Sequence, residues 1–273
     1  MKNNQRPLIS AIMPVFNEEK TVGEIIKTLL TDLVDEIICV NDGSSDDSLN
    51  ILKSFGTNIK LINLKRNYGK GFALAAGIKR AKGNFVAFFD SDLLNLSEKH
   101  VKQMLAPILD GQARAVLGVP TEGEKKYLYR LWNIYLTGER VYPRKSLLPH
   151  VESLKKAKYG VEIYLSSLFK RKETKIVYLQ GLISPNKYEK RSPIEASKEY
   201  FREGAEIALE IGKKEILSQE DYRRIINFAK AKTMIELKEK IEEIKNKNAK
   251  RFLESYVLKY IILVQRRIHD FTL

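Results

Sequence analysis

Phe85-Val86-Ala87-Phe88-Phe89-Asp90-Ser91-Asp92 is an apolar run that stops on two carboxylates. A short apolar run bounded by polar residues reads as a strand buried on both faces, the form strands take in parallel sheets covered by helices. The chain upstream repeats the pattern. Leu8–Val15 is a compact strand that leads into Phe16-Asn17-Glu18-Glu19, and Glu36–Val40 ends in Asn41-Asp42-Gly43-Ser44-Ser45-Asp46. Ile59–Leu64 and Ala113–Val119 read as further strands.

Helical patterns separate them. Asn17 is the expected N-cap of a helix with Glu18 and Glu19 in its first turn, where acidic groups meet the positive end of the dipole. Ile25, Ile26, Leu29 and Leu30 supply its apolar stripe, and Leu49, Ile51, Leu52 and Phe55 place the next helix. Gly69-Lys70-Gly71 opens a small-residue helix over Phe72–Ala81, and Ser97 caps another that runs through Leu109. Strand–helix alternation of this kind predicts an α/β fold, a mostly parallel sheet flanked by helices. In such sheets ligands bind outside the carboxyl ends of the strands. The polar clusters after Val15, Val40 and Phe89 all fall there, which is a stronger signal than any one of them alone.

Past Pro120 the pattern loosens. Tyr159–Phe169 reads as a helix and Lys175–Leu179 as a short strand. Ser192-Pro193 opens a helical tail, with Pro193 suited to a first turn. The expected division is a sheet domain over residues 1–190 and a helical C-terminal extension over 191–273. Within the extension, Leu237, Ile241 and Ile244 form a thin apolar stripe in a highly charged stretch. Phe252, Leu253, Tyr256, Val257, Tyr260, Ile261 and Val264 form a fuller one, too apolar to leave in water. That face is expected to pack on the sheet domain or on a second copy in a homo-oligomer. A peripheral membrane contact, with Arg266 and Arg267 beside the face, is the rival.

The 273 residues suffice for a full core, and 44% are hydrophobic. The one cysteine, Cys39, sits in the apolar run Ile37–Val40 and reads as a buried structural thiol. A single cysteine fits a reducing, cytoplasmic setting. No signal-peptide pattern and no apolar run of membrane-spanning length is evident. The formal net charge is +14. Sixteen basic and seven acidic side chains give residues 111–190 an excess of +9, whereas residues 1–110 stand at +1. A basic middle beside a near-neutral first part predicts an anionic partner.

Chemistry concentrates in a few places. Asp90 and Asp92, one residue apart at a strand end, can share a hard divalent cation that also holds a diphosphate. Asp42 can accept hydrogen bonds from a base imide or a ribose hydroxyl, and Gly43 permits a tight turn. In Arg66-Asn67-Tyr68-Gly69-Lys70-Gly71 the glycines allow close backbone approach to a phosphate, and Lys70 adds a point charge at a helix start. The Walker A pattern is missing.

The segments Ala11-Ile12-Met13-Pro14-Val15-Phe16-Asn17-Glu18-Glu19, Val40-Asn41-Asp42-Gly43-Ser44-Ser45-Asp46, Asn67-Tyr68-Gly69-Lys70-Gly71 and Phe89-Asp90-Ser91-Asp92 together resemble family 2 glycosyltransferases with the GT-A fold. The resemblance covers roughly the first 120 residues. It implies a nucleotide-sugar donor whose nucleoside meets Pro14, Phe16, Glu18 and Asp42. It also implies Lys70 near the diphosphate, Asp90 and Asp92 at ribose and metal, and Mg²⁺ or Mn²⁺ as the cofactor.

Leu136-Thr137-Gly138-Glu139-Arg140 and Tyr159-Gly160-Val161-Glu162-Ile163 are similar to segments of glucosyl-3-phosphoglycerate synthases and their relatives. That likeness implies that Glu139 holds hydroxyls of the donor sugar. Those synthases carry a metal-binding histidine where this chain reads Ile183-Ser184-Pro185-Asn186-Lys187, and His100, His150 and His269 fall elsewhere.

Asp92, Glu139 and Arg140 are the expected catalytic set. Glu139 and Glu162 are base candidates for a hydroxyl acceptor; an anionic acceptor needs no base. Arg130, Arg140, Arg144 and Lys145 suit a phosphate or carboxylate acceptor, such as a lipid phosphate or a phosphorylated small acid. Two alternatives stand beside this reading. A sugar-phosphate nucleotidyltransferase would need a glycine-rich loop where Pro14-Val15-Phe16-Asn17 stands. A basic nucleic-acid-binding module lacks a recognition motif here, and the Asp90/Asp92 pair argues against it, so no nucleic-acid partner is expected.

Overall fold

The structure, a computed structural model, describes residues 6–121, 136–157, 160–185, 193–213, 219–228 and 234–255. The chain divides into two compact units, Met1–Pro185 and Asn186–Leu273.

The first unit is built on β1 (Ile9–Val15), β2 (Glu36–Asn41), β3 (Lys60–Asn63), β4 (Phe85–Phe88), β5 (Ala115–Thr121), β6 (Arg140–Pro143) and β7 (Thr174–Gln180). They form one sheet in the order β3-β2-β1-β4-β6-β5-β7. β6 runs antiparallel to both of its neighbours, and the other pairings are parallel. The expectation of a mostly parallel sheet therefore holds, with β6 as an addition that the sequence reading did not contain. Helices α1 (Val22–Leu29), α2 (Ser48–Ser54), α3 (Lys70–Arg80) and α4 (Glu98–Leu109) connect the strands. After β6 come α5 (Val151–Ala157) and α6 (Val161–Ser167).

The alternation of side chains along each strand sorts the apolar residues into two cores. Ala11, Met13, Ile37, Cys39, Ala87 and Phe89 face one core with α1 and α4, where Ile25, Ile26, Met104 and Leu105 meet them. Ile12, Ile38, Val40, Val86 and Phe88 face the other, with Ala73, Ile78 and Leu154 from α3 and α5. Covering both faces is what makes the strands read as continuous apolar runs rather than alternating ones. Cys39 is fully buried, and desolvation pushes its thiol up to about 12, so it is an inert packing group. The small residues of α3 have a packing reason: a Cβ on Gly77 would lie 2.4 Å from the Ile12 side chain.

Two helix starts compare differently with expectation. Ser97 does cap α4, in a capping box with His100. Asn17 does not cap α1, which begins at Val22. Asn17 instead takes φ +56°, accepts the Ser45 N–H at its side-chain oxygen at 2.8 Å and donates its own N–H to the Ser44 hydroxyl at 3.1 Å. A short amide side chain tolerates the left-handed region and here ties the β1 loop to the β2 loop. Glu18 N–H donates to Ser48 and Glu19 N–H to Asp46, so Glu18 and Glu19 belong to the same zipper rather than to a helix.

In the second unit, α7 (Pro193–Lys213), α8 (Gln219–Phe228), α9 (Met234–Glu242) and a further helical stretch over 247–255 follow one another. Leu237, Ile241 and Ile244 are buried, as are Phe252 and Leu253. Asp221 accepts the N–H groups of Lys245 and Asn246 at 2.8 and 2.9 Å, anchoring the turn after α9. Tyr256, Tyr260 and Val264 of the predicted apolar face lie outside the described residues. No described helix is long and apolar enough to cross a membrane.

Gly43 and Gly56 both have positive φ, +72° and +53°. A Cβ on Gly43 would lie 2.4 Å from the Arg66 carbonyl carbon, whereas nothing lies near Gly56. Gly56→Ala should cost only backbone strain, about 1–2 kcal/mol. Gly43→Ala must also move the Arg66–Asn67 backbone and should cost clearly more in urea unfolding. Equal losses would show that the loop yields without resistance.

Candidate active site

The chain runs from β1 to β2 and β3 on one side and to β4 on the other, so the strand order reverses between β1 and β4. That is where an open α/β sheet forms its binding crevice. The three polar loops meet there. Thr21, at the head of α1, donates its hydroxyl to the Ser91 carbonyl at 2.6 Å, binding the β1 loop to the Asp90-Ser91-Asp92 turn. Pro14 pairs with Val40 one residue before the end of β1, and Phe16, half-buried, follows the strand.

Lys70 is the first residue of α3, and its ammonium lies 2.7 Å from Asp90 and 2.8 Å from Glu162. Burial pushes its pKa down, but the two carboxylates outweigh that and hold it well above the usual lysine value. Glu162 comes from the first turn of α6, and Asp90 lies two residues beyond β4. A Cβ on Gly138 would fall 2.0 Å from an Asp90 carboxylate oxygen, so glycine is what lets Asp90 stand there. Asp92 is half-buried, with its Oδ1 closed off from solvent.

Glu139 is 2% exposed. Its Oε2 lies 2.7 Å from the Thr137 hydroxyl, which also reaches the Gly118 carbonyl. Thr137 has one proton, and the carbonyl can only accept it. A neutral Glu139 carboxyl, which carries a proton of its own, relieves the competition of these two acceptors for the Thr137 hydrogen. Burial first, and the neighbouring Asp90 charge second, push its pKa up to about 8, in agreement with that bookkeeping. Its Oε1 is buried with no hydrogen-bond partner among the described residues.

Arg140 corrects an expectation. It is 1% exposed; its Nε donates to the Thr137 carbonyl at 2.7 Å, and its Nη1 to the Tyr142 hydroxyl and Ser166 at 2.9 and 2.8 Å. A guanidinium satisfied inside the fold is scaffolding for β6, not a surface for an acceptor. Arg144 likewise donates to the Ile78 carbonyl, and Arg130 lies outside the described residues. The sequence reading quoted Thr137 within the Leu136–Arg140 segment without a role of its own, and it missed Ser166, for which no local signal exists.

Asp42 is 3% exposed, and each of its carboxylate oxygens accepts a backbone N–H, from Tyr68 and Gly69, both at 2.8 Å. Burial raises its pKa despite those bonds. His100 is buried at the start of α4. Its Nε2 faces the Gln180 carbonyl at 3.0 Å and so carries the proton, leaving Nδ1 to accept from Ser97. Among the described residues no group of three or more His, Cys, Asp or Glu side chains is arranged to hold a metal. Two hard carboxylates with a buried oxygen still suit Mg²⁺ or Mn²⁺, ions that commonly take one or two carboxylates and fill the remaining positions with phosphate oxygens and water.

A mixed, mainly parallel sheet with its ionisable groups gathered at the carboxyl edge defines a GT-A-type α/β protein. Residues 10–172 match the family described as glycosyl transferase family 2, and the chain belongs to that family. An uncharacterized glycosyltransferase of Synechocystis is 43% identical over 93 residues, 31% of this chain and 29% of its own length. The dodecaprenyl-phosphate galacturonate synthase of Rhizobium johnstonii is 32% identical over 109 residues, 37% of this chain and 32% of its own. The chain thus spans about a third of the length of these curated relatives. Glucosyl-3-phosphoglycerate synthase of Mycobacterium tuberculosis, solved with Mn²⁺, UDP and glucosyl-3-phosphoglycerate, superposes with a TM-score of 0.59 at 25% identity. That match covers 76% of this chain and 80% of the synthase.

Between pH 4.5 and 8, Glu139 is ionised in the unfolded chain and protonated in the fold, so unfolding releases a proton and rising pH favours it. Wild-type stability in EDTA should therefore fall across that window and level off above it. Glu139→Gln keeps a neutral donor toward Thr137 and should lose that slope, gaining on wild type by more than about 1 kcal/mol at pH 8. Parallel pH profiles would show that Glu139 is ionised in the fold.

Proposed function

We propose that this chain transfers a hexose from a UDP- or GDP-linked sugar to an anionic acceptor, such as a polyprenyl phosphate or a phosphorylated small acid. The reading rests chiefly on Lys70 held between Asp90 and Glu162 at the crevice. A diphosphate entering there gains the ammonium but meets the carboxylates, and a divalent cation removes that conflict. Asp90 and Asp92 are the residues that would hold Mg²⁺ or Mn²⁺, which when bound supplies Lewis-acid stabilisation of the leaving diphosphate. Pro14, Phe16 and Glu18 form the nucleoside side, at the end of β1.

Glu139 bears on the acceptor. In the metal-free fold burial and the Asp90 charge favour its neutral acid, which can donate to a sugar or acceptor oxygen and is no base. An acceptor that is already an anion needs none. The names of the relatives point the same way: one makes a polyprenyl-phosphate sugar, and the solved synthase holds a phosphorylated acid product. A lipid-phosphate acceptor would bring the chain to the periphery of a membrane. Residues 1–190 are read as the catalytic domain and residues 191–273 as its helical extension.

A thermal-shift panel of UDP and GDP, each with Mn²⁺ or EDTA, tests the donor. Stabilisation at a hundredfold excess over Kd should reach about 2.7 kcal/mol. Asp92→Asn should abolish the metal-dependent part and keep the fold. Equal shifts in Mn²⁺ and EDTA for both proteins would remove the metal from the reading. With a binding donor in hand, transfer to phosphate-bearing acceptors should exceed transfer to neutral sugars, and the reverse order would overturn the acceptor class.

A further inference from the structure

Lys70 brings one positive charge to the crevice, and the carboxylates around it cancel more than that. Asp90 and Glu162 stand 2.7 and 2.8 Å from its ammonium, with side chains 23% and 11% exposed. Together the three groups carry a net negative charge, and Asp92 in the Asp90 turn adds to it. Carboxylates engage two of the three ammonium donors, so an arriving phosphate meets one donor and no net attraction. The two partners of Lys70 differ in what else they can do. Asp90 shares its turn with Asp92 and can swing to a common divalent cation, whereas Glu162 belongs to another segment, the first turn of α6. That helix is held in place, with Val161 and Leu165 buried and the Ser166 hydroxyl accepting from Arg140 at 2.8 Å. Glu162 therefore keeps its charge beside Lys70 whether or not Asp90 is engaged elsewhere.

We propose that Glu162 is a specificity-determining residue of the donor site: by holding the Lys70 charge in check, it makes the site refuse a bare nucleoside diphosphate and accept one that carries its divalent cation. The inference rests on the donor reading above and deepens it. Discrimination follows from the product of the charges. Near neutral pH a bare diphosphate carries roughly three negative charges, and roughly one remains when a divalent cation is bound. Repulsion from Glu162 scales with that number, and a carboxylate 11% exposed is little screened by salt. Without the Glu162 charge, Lys70 and Asp90 would form a neutral pair, and the ammonium could turn to phosphate. A diphosphate held without its metal is a dead-end complex, because nothing then offsets the charge that develops on the leaving group. Glu162 keeps the site clear of it.

The test titrates UDP or GDP, whichever wild type binds, by calorimetry in EDTA and in Mn²⁺ at one ionic strength. Glu162→Gln keeps the side-chain shape and leaves Asp90 as a partner for Lys70. It should tighten the bare diphosphate about tenfold and the Mn²⁺-bound form no more than about threefold, so that the enhancement by metal shrinks. Inorganic pyrophosphate in EDTA should tighten in the same way, while the free nucleoside changes less than about twofold. Bare-diphosphate binding that is unchanged or weaker in Glu162→Gln would make Glu162 only a prop for Lys70 and overturn the inference. Loss of the metal-dependent part, as expected of Asp92→Asn, would make it a metal ligand and overturn the inference too.

Should the glutamine variant fail to fold, Glu162→Ala removes the same charge and is held to the same two outcomes. A wild type that binds UDP or GDP with Mn²⁺, beside a Glu162→Gln variant with the same metal enhancement, would leave the donor reading standing and remove this inference alone. A wild type that binds neither diphosphate, with or without Mn²⁺, would instead overturn the donor reading and this inference with it.

Discussion

The ammonium of Lys70 is the charge about which the carboxyl edge of the sheet is arranged. It links the first turn of α3 to the end of β4 through Asp90, and to the first turn of α6 through Glu162. Three segments far apart in the chain bring these groups together, and each is held by backbone that cannot shift cheaply. Gly138 leaves room for Asp90, Thr21 ties down the turn that follows Asp90, and Asp42 grips the loop ahead of Lys70. Breaking the cluster by removing the cation would leave a half-buried Asp90 facing a buried Glu162, which is costly unless another cation takes the place.

A second charge state follows from the first. With Asp90 ionised and paired to Lys70, a further negative charge at Glu139 would be both desolvated and repelled. Burial and the Asp90 charge accordingly raise the Glu139 pKa to about 8, and the Thr137 hydroxyl donates to the Gly118 carbonyl beside it. The same short segment, Thr137 to Arg140, feeds β6 into the sheet and buries a guanidinium with its polar atoms satisfied by Thr137, Tyr142 and Ser166. The site and the sheet insertion are therefore one piece of structure, and changes in either will be felt in the other.

The strands, their helices and the edge that carries the chemistry were legible in the sequence, because burial on both faces demands unbroken apolar runs that end where polar groups begin. Local chemistry also sufficed for Ser97 as a cap and for the Asp90/Asp92 pair at a strand end. Other assignments depended on partners distant in the chain. β6 is four residues long and includes a fully buried arginine, so its sequence resembles surface until β4 and β5 enclose it. Arg140 looked like an anion binder for the same reason: charge is visible in a sequence, and burial is not. Asn17 looked like a helix cap because an asparagine before two glutamates has that form. Only the neighbouring β2 loop, through Ser44 and Ser45, shows that it is a bridge. The sequence by itself determined which residues are chemically able to bind a diphosphate and a hard cation, since that depends on side-chain type and position at a strand end. The tertiary structure alone decided which of them carry charge and which can reach a ligand, since both depend on desolvation and on hydrogen-bond partners brought in from tens of residues away.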